Sequence, residues 1–162
     1  MFHPLARMDG VMRAMTVALL VVPAVLFGAA FLEAPAATVV SGTGVFVGLI
    51  YGGVFFFARP RGFAVHPGRV DVVFPAWTRS IDGVLKAERV TSAELKQRYG
   101  MLLRVGAGGL WGGFGWLWSR RGWLEFYVSR LDGYVLLSRS EGLPLLISPE
   151  DPDKVCEQVR GS

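Results

Sequence analysis

The sequence has little of the chemistry that disulfides and metal sites need. Its 162 residues include one cysteine and two histidines. Cys156 has no second thiol with which to form a disulfide or a cysteine-based metal site, and a lone cysteine most often packs as a small apolar side chain. His3 and His66 lie far apart and have no Asp, Glu or Cys partner at the spacing of metal ligands. We therefore expect neither a disulfide nor a bound metal.

Motifs typical of enzymes are missing as well. A Gly-rich stretch begins at Gly106, but Trp111 stands where a dinucleotide fingerprint requires its third glycine, and a start at Gly113 meets Trp118 instead. No Gly-Lys-Ser/Thr sequence follows, which excludes a P-loop. The Gly-x-Ser-x-Gly context of serine hydrolases is missing around three serines of the C-terminal half, which are Ser129, Ser138 and Ser140. The sequence predicts no catalytic residues, no cofactor and no enzymatic activity.

Blocks of like charge are also lacking. The chain has 17 Lys and Arg against 13 Asp and Glu, a net charge of +4, and the two signs are interspersed through residues 61–162. A nucleic-acid surface concentrates its basic residues, so we expect no nucleic-acid partner. The mild basic excess is compatible with anionic lipid headgroups.

What the chain has in excess is apolar residues. They make up 52% of the sequence, mean hydropathy is +0.41, and residues 1–60 hold most of the long apolar runs. Residues 14–32 and 38–58 carry no charge, and the first run would span about 28 Å as a helix, close to the hydrocarbon thickness of a bilayer. The sequence predicts two transmembrane helices, at about 14–32 and 38–58, and therefore the lipid bilayer as a partner.

Basic residues predict the orientation of this hairpin. Arg7 and Arg13 precede the first run, Arg59 and Arg61 follow the second, and the loop at 33–37 has neither Lys nor Arg. Basic flanks stay in the cytoplasm, so we expect a two-pass inner-membrane protein with both termini cytoplasmic. Residues 1–60 would form the anchor and residues 61–162 a cytoplasmic domain. A cleavable signal peptide that ends near residues 34–37 is the alternative, and the second run would then act as a stop-transfer helix.

Short strands dominate the prediction for residues 61–162. Strands are predicted at 63–65 and 69–74 around the turn at Pro67-Gly68, at 81–90, and as a buried strand at 101–105. Further strands are predicted at 123–128 and 134–138, joined by a hairpin turn at Asp132-Gly133, and at 143–147. Residues 123–128 alternate, which predicts that Leu124, Phe126 and Val128 share one face and that Trp123, Glu125 and Tyr127 share the other. The sum is six or seven antiparallel strands.

Two short helices complete this prediction. The sequence Thr91-Ser-Ala-Glu94 is a capping box that opens a helix through Arg98. Ser148 is predicted to cap the final helix, with Pro149 at its first position. Val155, Cys156 and Val159 form the apolar stripe of that helix, and the acidic residues at its start, Asp151 and Asp153, are explained by the helix dipole.

Several of these segments together resemble the bacterial pleckstrin-homology-like (PH-like) domain family. The resemblance rests on the Gly-rich stretch at 106–115, on Glu125-Phe-Tyr-Val128 and Tyr134-Val-Leu-Leu137, and above all on Leu145-Leu-Ile-Ser-Pro-Glu-Asp-Pro152. It covers roughly residues 61–160. It implies a bent antiparallel sandwich or open barrel of about seven strands, closed by the C-terminal helix, and it implies no reaction.

Tryptophan and arginine concentrate in one region, which makes it the candidate site of membrane-interface or lipid contact: Trp111, Trp116, Trp118, Arg120, Arg121 and Trp123. These rings pack in the core, or they lie at a membrane interface where Trp sits at headgroup depth and Arg pairs with phosphate. A third membrane helix at 101–118 is a further alternative.

Three functions follow as hypotheses. The first is a non-catalytic, membrane-anchored scaffold whose domain binds a protein or peptide of unknown identity, through a strand edge or a groove. The second is a sensor of lipid headgroups, and the third is an enzyme on a lipid or envelope precursor. The first is preferred, because the resemblance implies a binding scaffold.

Overall fold

The structure is a computed structural model that describes residues 1–29, 37–108 and 111–161. Its α-helices are α1 (Gly10–Ala29), α2 (Ala37–Gly53), α3 (Ser92–Tyr99) and α4 (Pro152–Arg160), and a π-helix, Val54–Ala58, continues α2. Its strands are β1 (Phe2–Pro4), β2 (Gly62–His66), β3 (Arg69–Val73), β4 (Thr78–Asp82), β5 (Val84–Val90), β6 (Leu103–Gly108), β7 (Gly113–Ser119), β8 (Gly122–Val128), β9 (Tyr134–Arg139) and β10 (Leu145–Ile147).

The predicted transmembrane hairpin is wrong. α1 and α2 occupy its place, but within the described residues no helix combines the length and the apolar character that crossing a membrane requires. α1 includes Arg13 in its first turn. α2 ends as an α-helix after 17 residues, which extend about 26 Å against roughly 30 Å of hydrocarbon. The two-pass inner-membrane location with cytoplasmic termini rested on these spans and is wrong with them. The predicted loop at 33–37 and the end of the first span lie outside the described residues, apart from Ala37.

The two long helices pack against each other. The Tyr51 hydroxyl on α2 donates a hydrogen bond of 3.1 Å to the Leu19 carbonyl on α1. The outer faces of both helices are apolar and exposed at Val17, Val21, Val25, Val45, Phe46 and Leu49. No described part of the chain covers these faces.

One sheet has four strands in the order β1-β2-β3-β4, of which β1 precedes the two long helices in the chain and β2, β3 and β4 follow them. The predicted hairpin around Pro67-Gly68 is confirmed, because β2 and β3 pair antiparallel up to His66 and Arg69. The predicted strand at 81–90 is two strands in two sheets, since Gly83, with φ of 74°, separates β4 from β5. β1 was not expected from the sequence; it pairs with β2 and thereby joins the extreme N-terminus to this sheet.

The second sheet has six strands in the order β5-β9-β10-β8-β7-β6. β10 lies between β8 and β9 and runs parallel to β8. The predicted hairpin at Asp132-Gly133 is therefore wrong: its two strands exist, but they do not pair. The predicted fold of about seven antiparallel strands is also wrong, because the described residues form ten strands in two sheets, one of which is mixed.

Each face of the six-stranded sheet contributes to a separate core. One face packs against the four-stranded sheet and α4, whose Val155 and Cys156 are buried there and whose Val159 is packed against the same core. The other face packs against α3 through Leu95. The predicted alternation in β8 is confirmed, since Leu124, Phe126 and Val128 belong to the α3 side while Tyr127 lies on the other.

The ends of the short helices test the capping predictions. α3 has the predicted capping box, in which Thr91 and Glu94 exchange hydrogen bonds, and it ends at Gly100. The cap predicted for the last helix is wrong: Asp151 is its N-cap, and the Ser148 hydroxyl instead accepts a hydrogen bond of 2.8 Å from the Ser129 amide. The sequence Ser-Pro-Glu-Asp-Pro does not show where the helix begins, because it offers both Ser148 and Asp151 and these residue types are comparably good N-caps.

Candidate functional site

The hairpin of β7 and β8 places three tryptophans on one side of the six-stranded sheet. Trp116 lies opposite Glu125 and Trp118 lies opposite Trp123, and opposed residues of an antiparallel pair point to the same face. The rings lie beyond the cover of the four-stranded sheet and are 48%, 49% and 44% exposed for Trp116, Trp118 and Trp123. Core packing therefore does not account for these three side chains.

β6 extends this surface with two aliphatic side chains. Leu103 lies opposite Trp118 and Val105 lies opposite Trp116, and both are largely exposed. The buried strand predicted at 101–105 is wrong, since β6 runs from Leu103 at the open side of the sheet. We refer to Leu103, Val105, Trp116, Trp118 and Trp123 together as the aromatic face. The alternative of a third membrane helix at 101–118 is excluded, because β6 and β7 lie there.

The turn between β7 and β8 adds positive charge beside the aromatic face. Arg120 and Arg121 are exposed, and neither has an ion pair with another described residue. Ser119 fixes the turn, because its hydroxyl donates to the Gly122 carbonyl at 2.6 Å and accepts from the Arg121 amide at 3.2 Å. Residues 101–124 contain no acidic residue, so Arg120 and Arg121 form a basic patch beside the aromatic face.

Trp111 is the one predicted site residue that the structure separates from the others. Its backbone amide donates to the Thr16 hydroxyl of α1 at 3.0 Å. Its ring packs edge-on against Phe55 of the π-helix at a centroid distance of 4.9 Å, and its φ of 55° is unusual for a bulky residue. Trp111 therefore joins the β6–β7 connection to the helices.

An apolar pocket borders the aromatic face on the side of the four-stranded sheet. Its cavity volume is about 250 Å³, and it lies between Trp77 and Trp116 above Phe114 and Tyr127. The Trp77 ring stacks on Phe74 with a centroid distance of 4.3 Å, and its indole N–H donates to the Phe57 carbonyl at 3.1 Å. The pocket has room for an apolar side chain of a bound molecule.

A polar cluster links the two sheets beside this pocket; its Glu125 and Tyr127 are buried and its Arg79 is partly exposed. The Arg79 guanidinium of β4 donates hydrogen bonds to the Glu125 carboxylate and, at 3.1 Å, to the Tyr127 hydroxyl. The Tyr127 hydroxyl donates to the same carboxylate at 2.8 Å. Burial, followed by the nearby Glu125 charge, raises the pKa of Tyr127 to about 12. Every charge in the cluster has an opposite partner, which makes it a structural link between the sheets.

The outer edge of β6 is open. β6 is the terminal strand of its sheet, so its outer backbone groups pair with no other strand of the described chain. Gly106 and Gly115 face each other across β6 and β7. Both have positive φ, of 141° and 131°, and a Cβ at Gly106 would overlap the Phe114 carbonyl oxygen. The glycine pair therefore lets the two strands approach closely next to the aromatic face.

The cysteine and the two histidines that the sequence analysis considered are buried or in contact with other side chains. Burial raises the pKa of the Cys156 thiol, the His3 ring is hydrogen-bonded to the Gln158 side chain at 2.7 Å, and His66 lies 3.3 Å from Asp71. Within the described residues, no group of His, Cys, Asp and Glu side chains is arranged to hold a metal ion. The sequence analysis did not identify Trp77, the Arg79–Glu125 pair or the open edge of β6 as functional features. The large apolar residues that alternate in 114–118 were the signal from which strand β7 could have been predicted.

The chain matches no protein-family model, and no curated protein or solved structure is similar to it at a significant level. The resemblance to PH-like domains therefore stays a prediction, and the function is argued from the geometry alone.

Proposed function

We propose that this protein is a non-catalytic binding module whose ligand is an extended, acidic and apolar segment of a partner protein. The segment adds to the edge of β6 as a further strand and lays its side chains against the aromatic face. The observation that carries this proposal is the open edge of β6 beside three half-exposed tryptophans.

Backbone hydrogen bonds would supply the first part of the affinity. The end of a sheet offers unpaired N–H and C=O groups, and strand addition is a common mode of peptide recognition. Alternate side chains of an added strand point to the same face as Leu103 and Val105, because the side-chain period of a strand is two residues. Every second residue of the partner segment would therefore contact the aromatic face.

The tryptophan and arginine side chains would supply the second part of the affinity. These residue types dominate the energetic centres of protein interfaces, where one truncation typically costs about 2 kcal/mol or more. The half-exposed rings of Trp116 and Trp118 offer apolar area that a partner would remove from water. Because Arg120 and Arg121 lie beside the aromatic face and residues 101–124 contain no acid, an acidic segment complements the surface.

A defined peptide ligand tests the proposal. A random 12-residue peptide library displayed on phage is selected on the immobilised full chain, and the tightest peptide is synthesised for calorimetry. We expect selected sequences to alternate apolar with polar residues and to be acidic. Trp116→Ala and Trp118→Ala should each lower the affinity for the peptide by about thirtyfold or more, which corresponds to about 2 kcal/mol of binding free energy.

Matched variants locate the effect. Leu85→Ala removes an exposed apolar side chain from β5, the opposite edge of the same sheet, and should leave the peptide affinity unchanged. Arg120→Ala with Arg121→Ala should lower the affinity and flatten its salt dependence, whereas Arg7→Ala with Arg160→Ala removes equal charge elsewhere and should not. Melting curves of each variant confirm that the fold is intact.

N-methylation of the peptide backbone tests strand addition itself. Methyl groups on one set of alternate amides should abolish binding, because those amides face β6, and methyl groups on the other set should be tolerated. Equal losses from both sets, or equal losses from Leu85→Ala and Trp116→Ala, would overturn the proposal. So would binding of anionic phospholipid vesicles by a chain that selects no peptide.

A further inference from the structure

A pocket on the opposite side of the six-stranded sheet lies beneath α3. Its cavity volume is about 480 Å³, within the roughly 300–1,000 Å³ of small-molecule sites. We call it the α3 pocket; its apolar floor consists of Leu117, Phe126, Val128 and Leu146. It forms because α3 is eight residues long and contributes one fully buried side chain, Leu95, which is too little to cover this face of the sheet.

The floor of the α3 pocket is buried, whereas its walls are exposed. Phe126 and Leu117 are 1% and 4% exposed, and Met101 is 81% exposed. Met101, Lys96 and Arg104 stand at the walls. Methionine adapts its shape readily to a bound apolar chain.

The charged groups at the walls are of one sign. The described residues that line the pocket include the cations Lys96 and Arg104 and no acidic residue. Neither cation forms an ion pair with a described residue, whereas Arg98, on the same helix as Lys96, is bound to Glu88 at 2.7 Å. The α3 pocket therefore combines an apolar floor with two cations that form no ion pair with a described residue.

We propose that the α3 pocket binds a free, single-chain amphiphile with an anionic head. The apolar chain lies on the floor, and the head pairs with Lys96 and Arg104, because charge-assisted hydrogen bonds to arginine and lysine are the strongest available at such a site. The site is independent of the aromatic face, which lies on the other side of the sheet.

Two probes with the same tail and opposite charge test this site by calorimetry on the full chain. Sodium decanoate and decyltrimethylammonium are titrated below their micelle concentrations. Decanoate should bind at least tenfold more tightly. Lys96→Gln with Arg104→Gln should reduce decanoate affinity at least tenfold and remove the preference, whereas Arg7→Gln with Arg160→Gln, which removes the same charge outside the pocket, should change neither.

The position of the tail is tested on the wild-type chain, because a variant that is destabilised also loses decanoate binding for that reason alone. Nuclear Overhauser contacts from decanoate methylenes should reach the Phe126 ring and the Leu117 methyl groups, and not the Trp118 ring of the aromatic face. Equal affinity for the two probes, no decanoate binding, or contacts confined to the aromatic face would each overturn the proposal.

Discussion

Replacing Arg79 with methionine should destabilise the protein more than replacing its partner Glu125 with glutamine. The two side chains join β4 to β8 and therefore one sheet to the other. They differ in burial: the Glu125 side chain is 4% exposed and that of Arg79 is 41% exposed. Removal of the arginine leaves a carboxylate in the protein interior with the Tyr127 hydroxyl as its remaining donor.

The size of the effect follows from this difference in exposure. Removing one member of a fully buried ion pair costs about 3–5 kcal/mol, and an exposed pair contributes about 0–1 kcal/mol. Since water reaches Arg79 but not Glu125, we expect Arg79→Met to cost about 2 kcal/mol. Glu125→Gln keeps an acceptor for both donors and leaves an arginine that water can solvate, so we expect about 1 kcal/mol. The double variant Arg79→Met with Glu125→Leu should recover most of the loss, because an apolar pair of similar volume leaves no buried charge.

Urea unfolding of the full chain at pH 7, followed by circular dichroism, measures these differences. The midpoint should fall in the order wild type, Glu125→Gln, Arg79→Met, with an unchanged dependence on urea concentration. The single variant Glu125→Leu completes a double-mutant cycle with Arg79→Met, which gives the coupling between the two side chains. Equal costs for Arg79→Met and Glu125→Gln, or a double variant whose loss is the sum of the losses in Arg79→Met and Glu125→Leu, would refute the assignment of the cluster as a charge-balanced link.

Three further predictions concern local structure. The hydrogen bond from Arg98 lowers the pKa of Glu88 to about 2. The stability that this interaction contributes is present above the pKa that Glu88 has in the unfolded chain, and it is lost as the pH falls from about 5 toward 2. Glu88→Gln should therefore reduce the drop in urea midpoint over that range. Thr91→Ala removes the N-cap of α3 and should cost about 1 kcal/mol in urea unfolding; no change would show that α3 is held by its tertiary contacts alone. Gly106→Ala should cost about 1–3 kcal/mol, because an L-residue is strained at this φ, while Gly53→Ala, in a helix and with open space around its Cα, should leave the melting temperature unchanged or raise it. Similar melting temperatures for the two glycine variants would contradict the close approach of β6 and β7.

Features that depend on neighbouring residues could be predicted from the sequence. The capping box of α3 needs Thr91 and Glu94, and the β2–β3 hairpin needs the turn at Pro67-Gly68 between two apolar runs. The alternation in β8 predicted correctly which of its residues share a face. In each case the interacting groups lie within a few residues, so local geometry decides the outcome.

The pairing of distant strands could not be predicted in this way. Asp132-Gly133 has the chemistry of a hairpin turn, yet β10 occupies the place between β8 and β9. Strands of different sequence make the same backbone hydrogen bonds. The turn at Asp132-Gly133 therefore does not decide which strand pairs with β8. Likewise, hydropathy predicted two membrane spans, whereas α2 ends as an α-helix after 17 residues and no described helix is long and apolar enough to cross a membrane.

For the candidate site, the sequence by itself determined the composition: the tryptophans, the arginines beside them and the lack of acidic residues from 101 to 124. Only the tertiary structure decided that Trp111 packs against the helices while Trp116, Trp118 and Trp123 share an exposed face. The physical reason is that exposure depends on how far the four-stranded sheet extends over the six-stranded sheet. That boundary is set by the packing of residues far apart in the chain, such as Arg79 on Glu125, and no local pattern encodes it.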